Sequence, residues 1–563
     1  MVQRPPLSDA AWITRPPTPA GCGGEGPLAG LRFAVKDNID VAGMPTTAAC
    51  PAFAYRPDHD ATVVRRLRDA GALLLGKTNL DQFACGLNGT RSPYGAVPNA
   101  FRPDYICGGS SSGSAYVVAT GQVDFALGTD TAGSGRVPAA FNNIVGLKPS
   151  RGLVSACGVV PAAQSVDCVS IFAGTVALAA RVLQEALGPD AHDPYSRTLT
   201  LADRPYPERF RFGVPDHLEF FGDELARAAF ARALEQLRAL GGTPVTIPFH
   251  PLAEAGALLY ESALVAERYE AIRTFFDGRE ADVIEPVRSI IAAGSGFSAA
   301  EHCEALTRLR ALGGAAEAMW ERIDVLVVPS APTICTIAQM QADPVTLNRQ
   351  LGLYTNFVNL LDYAALATPA GMRPDGLPAG ITFIGRCGSD WQLADLGQRF
   401  HHATGRTVGA TDQPLPAPQA IPGLAAGAAT VQVAVVGAHL SGMPLNGQLT
   451  ERGARLLRKD ATAPDYRLYA LPGTHPPKPG LLRVAAGQGH GIALEVWEMP
   501  VARYGDFVQL VPQPLAIGTL TLADGSRVQG FLCEAEATAG ATDISHHGGW
   551  RAYIAAQRAP ALS

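Results

Sequence analysis

Between Gly108 and Pro138 the chain reads GGSSSGSAYVVATGQVDFALGTDTAGSGRVP, two Ser/Gly-rich turns separated by one short apolar run. Glycines this dense interrupt regular structure and let backbone come close to a ligand. The apolar run reads as a helix from Ala115 to Thr120 and a short strand from Val123 to Leu127. A fold built on this stretch must bring a helix and a strand into contact with two tight polar turns.

The flanking sequence agrees with that demand. LRFAVKDNIDV (31–41) reads as a strand and its exit, with Lys36 directly after Phe33-Ala34-Val35. Residues 62–70 carry apolar residues at helical spacing, and Gly71 can end that helix. Ala72 to Leu75 reads as a buried strand stopped by Gly76. Further strands are expected at 210–216, 324–333 and 380–386, and helices at 224–240, 252–276 and 391–404. Strands alternating with helices predict an α/β fold. The 563 residues exceed one ordinary core, so a large domain and a smaller one are expected. Residues 408–430 are rich in Pro, Ala and Gly and nearly free of charge, which reads as a linker. The expected division is therefore 1–407, a linker 408–430, and a strand-rich domain 431–563.

The two turns admit several chemistries. A Gly/Ser cluster can simply turn the chain. Gly128-x4-Gly133 resembles half of a phosphate loop, but Ser134-Gly135 stand where its Lys-Ser/Thr must be. Gly109-Ser110-Ser111-Ser112-Gly113 fits G-x-S-x-G, but no apolar strand precedes it. Lys36 taken alone reads as a solvated lysine at a strand end.

Taken together, VKDNID (35–40), GGSSSGSA (108–115) and GTDTAGSGRVPAAFNNIVGLKPSRG (128–152) resemble the amidase signature family in content and order. The resemblance implies a central mixed sheet covered by helices. It also implies a Ser-cisSer-Lys triad, with Ser134 as nucleophile, Ser110 as the bridging serine after a cis peptide, and Lys36 as base. It places the oxyanion hole at the N–H groups of Thr131, Ala132, Gly133 and Ser134. It puts Gly109 and Ser111 beside the substrate. The chemistry is coherent: a serine hydroxyl needs a base, and a lysine serves only when burial keeps it neutral. Asp130 and Arg136 are expected to brace the turn.

AWITR (11–15) and GKTNLDQFACGLNGTRSPYG (76–95) resemble the allophanate hydrolase branch of that family, as does LYESALVAERY (259–269). Tyr260 and Arg268 stand eight positions apart, about two turns of one helix, so both can face a small anionic amide. Arg268 can hold a carboxylate by a bidentate fork, and Tyr260 can add a hydroxyl donor. The tail motifs VGAHLSGMPLNGQL, YRLYALPGTHPPKPGLLR, EVWEMP and GWRAYI resemble that branch's C-terminal domain, which is similar to the γ-glutamyl cyclotransferase fold. Residues 499–507 offer no clear equivalent of the cyclotransferase glutamate. The resemblance implies instead that this α+β domain hastens decarboxylation of the first product, N-carboxycarbamate. His439 is the first candidate for that work and His475 the second.

The implied substrate is allophanate, a small molecule, with no cofactor and no metal. Two other readings are kept open, an amidotransferase-type subunit and an amidase of another small anionic amide. A net charge of −6 without a Lys/Arg run argues against nucleic acid. No apolar run suits a signal peptide or a membrane span. Ten cysteines without a CxxC pair fit a reducing, cytoplasmic setting. A homodimer is expected. No biotin carrier segment is seen, so any urea-carboxylating or biuret-producing partner is expected on another chain.

Overall fold

Eleven strands form one mixed sheet in the larger part of the chain. They are β1 (Trp12–Thr14), β2 (Arg32–Lys36), β3 (Leu73–Thr78), β4 (Phe125–Asp130), β5 (Val145–Lys148), β6 (Cys168–Ala173), β7 (Phe210–Pro215), β8 (Gly242–Ile247), β9 (Val325–Pro329), β10 (Ala364–Met372) and β11 (Pro378–Gly385). Their order is β1-β3-β2-β4-β6-β5-β10-β11-β9-β7-β8. The strands β3, β2 and β4 run parallel, as do β9, β7 and β8, and the middle of the sheet is antiparallel. Every residue of β4 and of β6 is buried, which explains why both read as continuous runs with little polar alternation. The computed structural model describes residues 7–16, 24–404, 407–424 and 430–558, and it divides into two units, Met1–Leu424 and Ala425–Ser563.

Helices cover the sheet. Those that place the site are α1 (Thr62–Asp69), α2 (Ser112–Ala119), α3 (Val137–Phe141), α4 (Val176–Ala186), α5 (Glu224–Ala239), α6 (His250–Glu261) and α7 (Ala266–Glu270). The helix α2 begins inside the first Ser/Gly turn, and all of its residues are buried. The mixed sheet covered by helices expected from the sequence is the one observed.

Several boundaries differ from expectation. Gly76 does not stop a strand: β3 continues through it to Thr78. Its φ of +150° and the approach of Thr14 O leave no room for a Cβ, so glycine marks a close crossing by β1. The second turn is shorter than its glycines suggest, because β4 runs through Gly128 and Thr129 to Asp130. Residues 252–276 are not one helix. The chain leaves α6 at Ser262 in an extended conformation (φ −139°, ψ 179°) and restarts through a 3-10 turn, Ala263–Val265, before α7. The Ser262 hydroxyl accepts from Leu264 N and so caps the restart.

The segment expected as a linker is partly held against the first unit. Ala410 N donates to Ala119 O at 2.8 Å, Asn143 Nδ2 donates to Gly409 O at 2.9 Å, and Ile421 is buried in the main core. Its few apolar groups and free backbone donors find partners there, which composition alone does not reveal. Residues 425–429 of that segment lie outside the described residues.

The second unit is α+β. Its strands are β12 (Thr430–Val435), β13 (Arg455–Ala461), β14 (Tyr466–Ala470), β15 (Pro479–Arg483), β16 (Ala493–Pro500), β17 (Leu515–Thr521), β18 (Arg527–Cys533) and β19 (Thr542–Asp543). They form a five-stranded sheet, β13-β16-β12-β18-β17, and a three-stranded one, β15-β14-β19. Val433, Val435, Tyr466, Val496, Phe507 and Trp550 form part of its own core. Among the described residues no helix is long and apolar enough to cross a membrane.

Candidate active site

Three parallel strands bring the chemistry together. Lys36 ends β2, between β3 and β4, and is fully buried. Its Nζ donates to Ser110 Oγ at 2.7 Å and to Thr129 Oγ1 at 2.7 Å. Burial pushes Lys36 down to about 7, against the pull of Asp81, Asp167 and Asp130, while Arg268 adds to the push. An amine of that basicity is substantially neutral near pH 7, so its lone pair is available to take a proton.

The peptide bond from Gly109 to Ser110 is cis. The surrounding loop is built by Asp81, whose carboxylate accepts from the N–H groups of Asn88, Gly89 and Arg91. Asp81 N in turn donates to Ser110 O at 3.0 Å. A Cβ at Gly109 would run into that carboxylate and into the backbone of Asn88 and Gly89. Glycine is therefore required there by space. Ser111 is placed differently from a substrate contact. Its hydroxyl donates to Thr129 O at 3.1 Å and accepts from Thr129 N at 3.3 Å, pinning α2 to β4.

The second turn is shaped by Asp130. Its carboxylate accepts from Gly133 N and Gly135 N at 2.9 Å each, and pairs with the buried Arg136 guanidinium through two bonds of 2.9 Å. Burial works to raise the Asp130 carboxyl, but Arg136 holds it below the usual range. Asn359 closes the arrangement, donating to Asp130 O at 2.6 Å and accepting from Arg136 Nη2 at 3.2 Å. Both residues thus brace the turn. One expectation needs correction: the Gly133 N–H is already held by Asp130. The N–H groups of Thr131, Ala132 and Ser134 have no partner among the described residues and can receive a developing oxyanion. Ser134 itself is buried, and among the described residues its hydroxyl makes only a long bond of 3.4 Å to Gly86 O. A hydroxyl held so lightly is free to turn toward a substrate carbon.

Tyr260 and Arg268 meet although their helix is broken. Arg268 Nη2 donates to Tyr260 OH at 3.1 Å, and the guanidinium carbon lies 5.0 Å from the Tyr260 ring centre. Arg268 is 3% exposed, and its Nε and Nη1 have no hydrogen-bond partner among the described residues. A buried guanidinium with two donors left over can hold an anion by a bidentate fork. Tyr260 lines a cavity of about 380 Å³ together with Leu87, Arg91, Val265, Asn348 and Asn356.

The second unit carries a separate pocket of about 210 Å³. His439, His475, Lys478 and Gln448 line it, with Phe531. The His439 ring stacks on Phe531, with centroids 4.9 Å apart, and its Nε2 lies 2.9 Å from Gln448 Oε1. Burial lowers its basicity. Both histidines expected from the sequence therefore share one cavity. Glu495, in the EVW strand, is committed elsewhere: it accepts from Ser441, Trp497 and Arg551.

Sequence reading missed Thr129 and the division of labour among the turn amides. The signal for Thr129 was its hydroxyl one residue before Asp130, masked because GTDT looked like loop. Among the described residues no group of three or more His, Cys, Asp or Glu could hold a metal ion.

Comparisons with known proteins agree with this geometry. The Amidase family profile matches residues 18–394, and that of the allophanate hydrolase C-terminal domain matches residues 431–555. Urea amidolyase of Lachancea kluyveri is 45% identical over 547 residues, which is 94% of this chain and 30% of that protein. The chain thus spans under a third of the curated urea amidolyases it matches. The structure of selenomethionine-substituted Kluyveromyces lactis allophanate hydrolase is 42% identical and superposes with a TM-score of 0.73, covering 99% of this chain and 95% of that one. One component of the Thermotoga maritima glutamyl-tRNA(Gln) amidotransferase is 28% identical, with a TM-score of 0.63 over 73% of this chain and 91% of its own.

Proposed function

The chain belongs to the amidase family, and we propose that it hydrolyses allophanate through Ser134, Ser110 and Lys36. Ser134 Oγ attacks the amide carbonyl carbon. Its proton passes to Ser110, whose own proton goes to Lys36 Nζ. The carbonyl oxygen gains negative charge facing the free N–H groups of Thr131, Ala132 and Ser134, each worth about 3–4 kcal/mol when well aimed. Ser110 then returns a proton to the leaving nitrogen, ammonia departs, and water resolves the acyl-enzyme by the reverse relay. The product is N-carboxycarbamate.

The observation that carries the substrate is Arg268. Allophanate has a carboxylate at one end and an amide at the other, and Arg268 offers two idle N–H donors in a buried place with Tyr260 beside it. Likeness across both units to Kluyveromyces lactis allophanate hydrolase supports the same reading. In the second unit, His439 is given the role of promoting loss of carbon dioxide from the anionic product, a reading supported by Lys478 and His475 lining the same pocket. The overall products are ammonia and carbon dioxide. A homodimer, a cytoplasmic location and a partner enzyme that carboxylates urea or makes biuret belong with this reading.

The direct test is ammonia release by the purified chain from a panel holding allophanate, biuret, malonamate and glutamine. Allophanate is expected to be turned over with the highest kcat/KM, and preference for glutamine would favour the amidotransferase reading. On allophanate, kcat/KM should rise as pH rises through about 7, because Lys36 acts as a base only after losing its proton. A profile flat from pH 6 to 9 would exclude Lys36 as the base.

The tail has its own test. Removal of residues 431–563 should leave release of the first ammonia intact and slow appearance of the second, followed by paired ammonia and carbon dioxide assays. His439→Ala in the full chain should do the same. Unchanged ammonia yield and an unchanged oligomeric state by light scattering would remove both catalysis and assembly from this domain.

A further inference from the structure

Strand register puts Thr131 and Asp167 side by side. β4 and β6 pair antiparallel with Asp130 opposite Cys168, so the residue after β4 and the residue before β6 leave the sheet together. Thr131 Oγ1 donates to Asp167 Oδ1 at 2.5 Å. The other carboxylate oxygen accepts from Ala162 N at 2.7 Å and Ala163 N at 3.1 Å. One carboxylate thus ties the first residue of the nucleophile turn to a segment some thirty residues on. Thr131 also contributes one of the three free N–H groups of that turn. Burying a carboxylate is costly unless bonded, and a neutral side chain could have made these bonds. The charge calls for its own reason.

That reason lies in the groups it acts on. The charges of Asp81, Asp167 and Asp130 favour the Lys36 ammonium against its burial, and that of Arg268 opposes them. Arg268 in turn bonds Tyr260 and feels the charges of Asp167 and Glu267, and Glu267 is held by Ser165. Asp167 is the carboxylate common to the base and to the candidate anion binder. Its own carboxyl is pushed up to about 6 by burial.

We propose that Asp167 is a positioning residue for the amide hydrolysis described above, fixing the start of the nucleophile turn through Thr131 and supplying a negative charge that acts on both Lys36 and Arg268. The inference rests on the assignment of Ser134 and Lys36.

Two variants separate bond from charge. Asp167→Asn keeps an acceptor for Ala162 and Ala163 and turns an amide toward the Thr131 oxygen, which can accept. It removes only the charge. Lys36 then loses its proton more easily, and the acid limb of kcat/KM on allophanate moves to lower pH by about half a unit. Thr131→Val keeps the charge and removes the bond. Its kcat should fall about tenfold, with KM changed less than about twofold and the acid limb in place. Thr131→Ser, which restores the hydroxyl, should recover most of the rate. An Asp167→Asn profile that superimposes on wild type, or a folded Thr131→Val with wild-type kcat, overturns the proposal. Circular dichroism confirms folding, and Thr131→Ser keeps the test open should the valine variant be unstable. Ser134→Ala run in parallel distinguishes the two levels: turnover by that variant sinks the assignment itself, whereas its inactivity beside a wild-type Asp167→Asn profile sinks the role of Asp167 alone.

Discussion

Ser134→Ala should abolish ammonia release from allophanate, lowering kcat by at least about a thousandfold, while the fold persists. The Ser134 hydroxyl makes one long bond to Gly86 O, so its loss should cost under about 1 kcal/mol of stability. Lys36→Met should be equally inactive for a different reason: Ser134 and Ser110 remain but nothing takes the proton. The two variants diverge in stability. Burial lowers Lys36 from 10.5 to about 7, so the folded state disfavours the ammonium. That penalty is complete below about 7, where both folded and unfolded lysine are charged. It fades as pH rises toward the unfolded value and is gone above it. Lys36→Met should therefore stabilise the fold, more at pH 6 than at pH 10, as urea melts at the two pH values would read. A folded Ser134→Ala or Lys36→Met with near-normal turnover would dismiss the triad. A melting difference with the opposite pH trend would show that Lys36 is not held neutral.

Replacing Arg268 by Ala should raise KM for allophanate about a hundredfold, since a buried charge-assisted pair is worth about 1.5–3 kcal/mol. KM for biuret, which has no carboxylate, should change by less than about threefold. The reason is the state of the guanidinium before substrate arrives. Its Nη2 is engaged by Tyr260, while Nε and Nη1 are idle. A carboxylate fills those two donors, and a neutral amide cannot do so as well. Removing a buried cation whose Nε and Nη1 have no hydrogen-bond partner among the described residues should not unfold the protein, because it also removes a desolvation cost. Arg268→Lys should recover only part of the affinity, as a point charge lacks the planar fork. Equal losses on both substrates would take Arg268 out of the substrate site.

Much of the site was legible in the chain because the amidase signature concentrates it. Ser110, Ser134 and the bracing pair Asp130 and Arg136 fall within one stretch, and Lys36 sits in a short motif at the end of an apolar run. Local composition also separated the α/β portion from the strand-rich tail. These features are local in sequence: turn chemistry, apolar runs and helical spacing are set by neighbours within a few residues. The pairing of Tyr260 with Arg268 was legible for an imperfect reason. Spacing on a continuous helix suggested it, but the helix breaks at Ser262 and the two side chains meet across the break.

Contacts between residues far apart in the chain supplied the rest. The antiparallel pairing of β4 with β6 sets Thr131 against Asp167. The parallel pairing of β2 with β4 carries Lys36 to Thr129. Asp130 captures the Gly133 amide and leaves three others free. Strand register obeys no pattern within a single strand, because it is set by which buried faces match across the sheet. The order of residues was thus enough to name the groups proposed to carry the chemistry. The folded sheet was needed to show which of their N–H groups are free, what faces the lysine, and how strongly burial keeps it neutral.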